Sequence, residues 1–566
     1  MKQFIPQPKF LLLLLIGSML LAACEPLQTP PPQVEGMGTD LFAPAQTPEA
    51  RLETSSSAEE AKPPTETGLA SSGEGCLALS PSLPSGFRRA MQDRESVCPA
   101  NSPDLAATFG VDAENPVQRW VYVPVARFPT LTDDLSLDEL LAVADSGEGT
   151  SFTRVLIKAE DAEAFKTWSL WYELNLEPLP AEQILDALWE DPSALALIPF
   201  EDLEPRLKLI SLDGSSPLDP GFDPETWPLS MPIGLQRAYN SVPEELIQNF
   251  AAELPANWQA DKLTDVMVTG VTALARATAV DMERYGVLYP QAVIGDTLRG
   301  ADILHISNEV SFAENCPDPV GIMPNLIFCS KDRYLRLLED IGTDVVELTG
   351  DHMNDWGPEA LAHTLELYET AGLPVYGGGA NAAQAALPIT FETKGNKIAF
   401  IGCNAKGVYS ANAGTSTGGA NPCNMPEFSA QIEDLSEQGY NVIATFQHYE
   451  GYGWSPEPAI VRDFNLAAEA GAVIVSGSQA HRPHSMAFSA DGKSMLRYGL
   501  GNLFFDQLDV GSDTDKAFID QHFFYENRHI STRLTPIYFT DYSQPKFPPT
   551  EIADALLQAL FSTSGW

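Results

Sequence analysis

Between residues 262 and 510, short β-branched runs alternate with longer stretches in which apolar residues recur at helical spacing. That alternation is the signature of βα units and a largely parallel sheet. The runs predict strands at Asp265–Thr269, Ile303–Ser307, Asp344–Thr349, Val442–Phe446 and Ala472–Ser476. Residues 511–566 add a short polar linker, a strand-like Thr535–Phe539 and a final helix over Thr550–Phe561. Leu556, Leu557 and Leu560 form the apolar face by which that helix closes the domain. Residues 76–245 read as a smaller α/β domain. Its expected elements are a strand at Val121–Val125, a helix over Leu135–Ala144 opened by Asp133 and Asp134, a strand at Arg154–Ile157 and a helical stretch around Glu160–Leu174.

The first residues follow a different pattern. Lys2 and Lys9 flank an apolar run from Phe10 to Leu21, and Ala22-Ala23-Cys24 follows. A positive flank, a short apolar core and small residues before a cleavage point make a secretory signal over residues 1–23. The run is shorter than the roughly 20 apolar residues of a spanning helix. Leu-Ala-Ala-Cys resembles the bacterial lipobox, which implies lipidation of Cys24 and an extracytoplasmic protein anchored to the bacterial cell membrane. Residues 24–75, rich in Pro, Thr, Ser, Ala and Glu, bury too little apolar surface to order themselves and predict a disordered stalk with a typical reach of roughly 40 Å. Six cysteines remain: Cys76, Cys98, Cys316, Cys329, Cys403 and Cys423. An even number in an exported chain points to disulfides. Pairing neighbours (76–98, 316–329, 403–423) closes the shortest loops.

Composition narrows the partners. Asp and Glu number 77 against 33 Lys and Arg, for a formal net charge of −44. Such acidity argues against a nucleic-acid partner, which needs basic patches.

Candidate chemistry gathers just beyond the predicted strands, where open α/β sheets bind their ligands. The strand ends carry Asn308-Glu309, then Asp351-His352 with Asn354 and Asp355, then His448-Tyr449-Glu450, and then Gln479-Ala480-His481. A last segment, Tyr498–Gln507, adds Asn502 and Asp506. Such a set could converge on one divalent cation: Mn²⁺, Zn²⁺, Fe or Mg²⁺.

The stretches "ADILHISNEVSF", "ELTGDHMNDWGPEALAHTLELYETAGLPVYGGGANAAQA", "FQHYEGY", "AGAVIVSGSQAHRPHSMAF" and "YGLGNLFFDQ" resemble, in order, the motifs of the CapA-type poly-γ-glutamate capsule biosynthesis family. The resemblance implies a four-layer, metallophosphoesterase-like α/β sandwich over residues 262–510, and a role in the synthesis, export or processing of an extracellular capsule polymer. It further implies metal ligands at Glu309, Asp351, His448 and His481. His352 and Glu450 fall to catalytic roles, with His352 donating a proton or stabilising an oxyanion. Asn308, Asn354, Asp355, Gln479 and Asn502 fall to substrate binding. The partners implied are the membrane, through the lipid, and the polymer or its capsule machinery. More loosely, Ala194–Leu218 is similar to one lobe of periplasmic solute-binding proteins.

Three departures leave the centre open. The family opens on strand-Gly-Asp, whereas here Gly270 is followed by Val271-Thr272, without the carboxylate. Gln479 stands for a histidine and Asp351 for an asparagine. A two-metal centre needs a bridging carboxylate between ions about 3.5–4 Å apart. A one-metal site, a rearranged site and a non-catalytic binding or assembly protein all fit the residues. Asp506 or Glu450 could fill the empty ligand position. His305, His363 and His484 read as structural. Trp356, Tyr449, Tyr452 and Trp454 read as a packed rim or a ligand platform.

Overall fold

The computed structural model describes residues 76–94, 97–102, 105–111, 116–238, 254–323, 325–407, 410–508 and 510–566. The signal, Cys24 and the stalk lie outside these residues. Among them, no helix is long and apolar enough to cross a membrane.

The second half is a four-layer α/β sandwich. Sheet I has eight strands. Leu263–Thr272, Ile303–Asn308, Val345–Glu347 and Val375–Tyr376 run parallel, and Asn502–Phe504 pairs parallel with the first. The antiparallel strands Lys516–Tyr525, Arg528–Phe539 and Pro545–Lys546 extend its other side. Sheet II has six strands, with Asn396–Asn404, Asn441–Gln447 and Ala472–Gly477 parallel at its centre.

Alternation along the sheet II strands explains the layering. Ile398, Phe400, Ile443 and Ile474 face inward onto Val266, Val268, Ile303 and Val345 of sheet I. Their neighbours Ala399, Ile401, Val442, Ala444 and Val475 face outward onto helices Met425–Glu437 and Pro458–Glu469. Successive side chains point to opposite faces, so strands buried on both faces read as continuous apolar runs. The outer face of sheet I is covered by Arg276–Tyr285, Leu335–Asp340 and Pro358–Ala371.

The first lobe is an eight-stranded mixed sheet whose central strand, Pro116–Arg127, lies between Ser230–Ala238 and Ala194–Pro199. Its helix Leu137–Ser146 begins later than Asp133 and Asp134 suggest. Ser136 is the N-cap, accepting from the Glu139 N–H at 3.2 Å while the Glu139 carboxylate returns to the Ser136 N–H at 2.8 Å. This capping box satisfies two donors that a helix start otherwise leaves orphaned. The lobe's core runs on into Phe523, Tyr525 and Ile530 of sheet I. Helix Thr550–Thr563 buries Leu556, Leu557, Leu560 and Phe561 between the sandwich and Phe128 of the first lobe.

All six cysteines pair as neighbours: Cys76–Cys98, Cys316–Cys329 and Cys403–Cys423. The last two close loops that border the polar strand ends of the sandwich.

Candidate functional site

Two adjacent strands of sheet I bring the first acidic groups together. Past Asn308 and Glu347 the chains keep pairing, with an isolated bridge between Val310 and His352. Gly350 permits the approach, because a Cβ there would lie 2.7 Å from the Glu309 Cα. Glu309, Asp351 and His352 therefore each offer an oxygen or nitrogen within 4.8 Å of the other two.

Their protonation follows from their surroundings. Glu309 is 2% exposed, and no N–H or O–H of the described residues reaches its Oε2. Burial, reinforced by the Asp351 charge, lifts its carboxyl to about 8. Burial also opposes ionisation of Asp351, but His352 and Lys406 outweigh it and hold that carboxyl below its ordinary range. For His352, burial disfavours the imidazolium. The hydrogen bond from Nδ1 to Asp355 Oδ2 (2.6 Å) and the nearby carboxyls overcome this and raise it to about 9. Asp355 also accepts the Phe328 N–H at 2.9 Å, and the Phe328 ring packs 4.6 Å from the imidazole. The Cys316–Cys329 bridge ties down the loop that carries this ring.

Sheet II supplies the other wall. Gln447 ends its strand and donates from Nε2 to Asp351 Oδ1 at 3.0 Å. Its Oε1 accepts from Ser478 Oγ at 3.0 Å, and Ser478 Oγ also lies 3.1 Å from Glu347 Oε1. Glu347 is fully buried beside His305, which bonds Tyr376 Oη at 2.8 Å. A polar chain thus runs from between the sheets to the site, although Glu347 Oε2 and His305 Nδ1 within it have no hydrogen-bond partner among the described residues. Lys406, two residues past Asn404, sets its ammonium 2.7 Å from Asp351 and 2.6 Å from Glu450. Burial works against its charge, but the two carboxylates prevail and hold it above the usual lysine range. A search of strand ends for carboxylates and imidazoles passes over Lys406. The rule that finds Glu309 and Asp351 also reaches this lysine when applied to "KIAFIGCNAK".

The structure does not gather the expected ligand set as a whole. His448 turns away from the site: Nε2 meets Asp463 Oδ2 at 3.1 Å on helix Pro458–Glu469, and Nδ1 accepts the Tyr449 N–H at 2.9 Å. Both ring nitrogens are spent, so His448 has no lone pair for a metal. His481 donates from Nδ1 to Asn502 Oδ1 at 2.9 Å, which leaves its Nε2 lone pair 3.3 Å from the Gln479 amide nitrogen. Gln479 thus caps the histidine that the family resemblance made a ligand. Its Nε2 also donates to Glu450 at 3.0 Å. Glu450 is salt-bridged to Lys406, which takes it out of the metal set, and accepts from Tyr452 Oη at 3.1 Å.

Other expected site residues hold the walls. Asn308 donates to Val310 O and Tyr368 Oη, and Asn354 to Ser410 O and Gly418 O. Asp506 does not replace the missing carboxylate. It accepts the Ala277 N–H at 3.2 Å and faces the Arg276 guanidinium. Thr272, at the end of the first strand, is fully buried with its hydroxyl unpartnered. His305, His363 and His484 make structural hydrogen bonds to Tyr376, Asp332 and Gly451 O. Of the aromatics, Tyr449 and Tyr452 are half exposed at the rim. Trp356 bonds Asn315 and Trp454 bonds Asp513.

For a metal, the donor set fits one ion and not two. Glu309, Asp351 and His352 Nε2 supply three converging donors, and Asp355 orients the imidazole as carboxylates do behind metal-bound histidines. A second ion would need the carboxylate absent after Gly270, where Val271 stands, and the lone pairs that His448 and His481 have already committed.

Residues 264–507 match the family of the bacterial capsule synthesis protein PGA_cap. The Capsule biosynthesis protein CapA of Bacillus anthracis is 24% identical over 255 residues, covering 44% of this chain and 61% of that protein. The PGA biosynthesis protein CapA of Bacillus subtilis (strain 168) is 24% identical over 204 residues, covering 34% and 53%. The chain thus spans about half to three fifths of the curated relatives it matches. Among solved structures, a 5′-nucleotidase precursor from Thermus thermophilus covers 53% of this chain and 58% of its own, at 12% identity and a TM-score of 0.33. The NAD nucleotidase of Haemophilus influenzae covers 53% and 56%, at 12% identity and a TM-score of 0.31.

Proposed function

We propose that this chain, whose residues 264–507 belong to the bacterial capsule synthesis protein PGA_cap family, processes an extracellular anionic capsule polymer of the poly-γ-glutamate type. The reading includes export, a lipid on Cys24 and work outside the cytoplasmic membrane. The observation that carries it is the Glu309–Asp351–His352 cluster at adjacent strand ends, its carboxyls buried, with no donor to Oε2 of Glu309 among the described residues.

When bound there, a divalent ion would polarise a carbonyl or phosphoryl oxygen and lower the pKa of a bound water. The chain's own groups do the rest. Asp355 holds the His352 ring so that Nε2 faces the carboxyls, 4.0 Å from Glu309 and 3.9 Å from Asp351. In the ion-free site His352 is cationic at neutral pH, and an ion held through Nε2 would take the place of that proton. Gln447 fixes one oxygen of Asp351, and Lys406 pairs with the other.

One observation favours a second reading, a binding or assembly protein without turnover. Lys406 already pairs with both Asp351 and Glu450, so part of the site's negative charge is met without an ion. Metal content of the purified protein, with turnover of poly-γ-glutamate and of a phosphoester before and after chelation, separates the two. Bound metal and chelator-sensitive turnover support hydrolysis. A metal-free, folded protein that turns over neither substrate sinks that reading and leaves the binding one.

A further inference from the structure

We propose that Lys406 is a built-in cation: its ammonium group takes the place of a second metal ion, so that the chain holds a single divalent ion on Glu309, Asp351 and His352. This rests on the single-ion reading above and deepens it.

Four observations carry the argument. The ammonium sits between two carboxylates from different sheets, 2.7 Å from Asp351 and 2.6 Å from Glu450, with its side chain only 19% exposed. Partly buried carboxylates need a compensating positive charge, and among the described residues Lys406 is the only lysine or arginine paired with either of them. The lysine is held from behind. Its backbone N–H donates to Gln447 O at 3.1 Å, and Asn404 Oδ1 accepts the Gly407 N–H at 3.1 Å. The Cys403–Cys423 disulfide anchors the strand end from which it projects.

The groups around it have changed in the matching sense. The two-ion centre implied by the family resemblance places a carboxylate directly after Gly270, and here that position is Val271. It also uses a histidine where Gln479 stands, and the Gln479 amide now donates to the same Glu450 oxygen that Lys406 pairs with. Neutral groups stand at two positions where the family resemblance puts donors to a second ion, and a fixed positive charge lies beside the remaining acids. An ammonium and a divalent ion repel one another across a shared carboxylate. Lys406 therefore limits both how many ions the site accepts and how tightly it holds the one it has.

The test is ion binding, without reference to turnover. The purified protein, Lys406→Met and Lys406→Gln are dialysed to equilibrium at pH 8 against a Mn²⁺ or Zn²⁺ series, and bound metal is counted by mass spectrometry. Circular dichroism confirms that each remains folded. One ion per chain is expected for the unaltered protein. Either variant should take up a second ion, or bind the first at least tenfold more tightly. Two ions in the unaltered protein would overturn the inference while upholding metal binding. So would one ion bound with equal affinity in all three proteins. No ion in any of them would overturn the single-ion reading itself. Ions in the variants alone would overturn the inference, because the unaltered chain would then hold no ion beside the lysine.

Discussion

A fully buried ion pair joins the two sheets of the sandwich through their interior, and breaking it from one side is a sharp test of how the core is balanced. Arg497 of sheet II and Asp520 of sheet I meet at 2.9 Å, with both side chains 1% exposed. The guanidinium also donates to His484 O at 2.7 Å and lies 4.8 Å from the centre of the Phe518 ring. Charges at that separation attract by roughly 6 kcal/mol at an effective dielectric constant of about 20. Burial nevertheless lifts the Asp520 carboxyl above its ordinary value in spite of Arg497, so desolvation outweighs what the guanidinium returns. The intact pair therefore contributes little net stability, whereas losing one member leaves a buried charge without its partner. Asp520→Asn is expected to cost about 3–5 kcal/mol, and the double variant Arg497→Met with Asp520→Leu to recover most of it. Urea unfolding followed by tryptophan fluorescence measures both. A loss under about 1 kcal/mol for the single variant, or a double variant no more stable than the single, would refute the reasoning.

Two further predictions concern protons. His529 is fully buried, and burial depresses its imidazole to about 4. The unfolded chain takes up that proton first as pH falls below about 6.5, so folding loses stability between pH 6.5 and 4, by about 3 kcal/mol in total. Against His529→Gln, urea midpoints over that window should show the native protein falling more steeply; equal slopes would exclude His529 as a source. Asp355→Asn removes the hydrogen bond that heads the forces raising His352, so in metal-free protein the imidazole should titrate at least one pH unit below its native value of about 9. Proton NMR of the His352 ring reads this, and an unmoved midpoint would show that Glu309 and Asp351 alone hold the charge.

Much of the sandwich was legible because β-branched runs and strand-end chemistry are local. "NVIATF" reads as a strand from its β-branched run alone, whereas "NKIAFIGCN" does not, and which residues face which layer comes only with the structure. The same locality exposed Glu309, Asp351 and His352, each immediately past an apolar run. What was not legible depended on distant partners. Whether His448 points into the site or away from it is decided by Asp463, on a helix of the outer layer. His481 is decided by Gln479 and Asn502, which together occupy both of its nitrogens. Lys406 gains meaning only when Asp351 of one sheet and Glu450 of the other close on it. Strand ends can be located from the chain, but the side to which each side chain turns is set across the sheets.

These placements bear on how so acidic a chain could handle an acidic polymer. A formal charge of −44 repels a polyanion at long range, but at physiological salt that field is screened within about 8 Å. Capture is then decided by the groups at contact distance, and there the balance differs. His352 is cationic in the ion-free site, and Lys406 stands beside it through Asp351. Arg276 lies behind the Phe328 and Phe505 rings that pack on His352 and His481. Its backbone is held at φ 48° just past the first strand of sheet I, in the left-handed region that an arginine adopts only under constraint. A divalent ion on Glu309, Asp351 and His352 would displace protons from Glu309 and His352 and bring positive charge of its own. In the ion-free site each of these cations is paired with a carboxylate, His352 with Asp355, Lys406 with Asp351 and Glu450, and Arg276 with Asp506, so a bound divalent ion is the charge that would tip the strand ends toward holding a polycarboxylate.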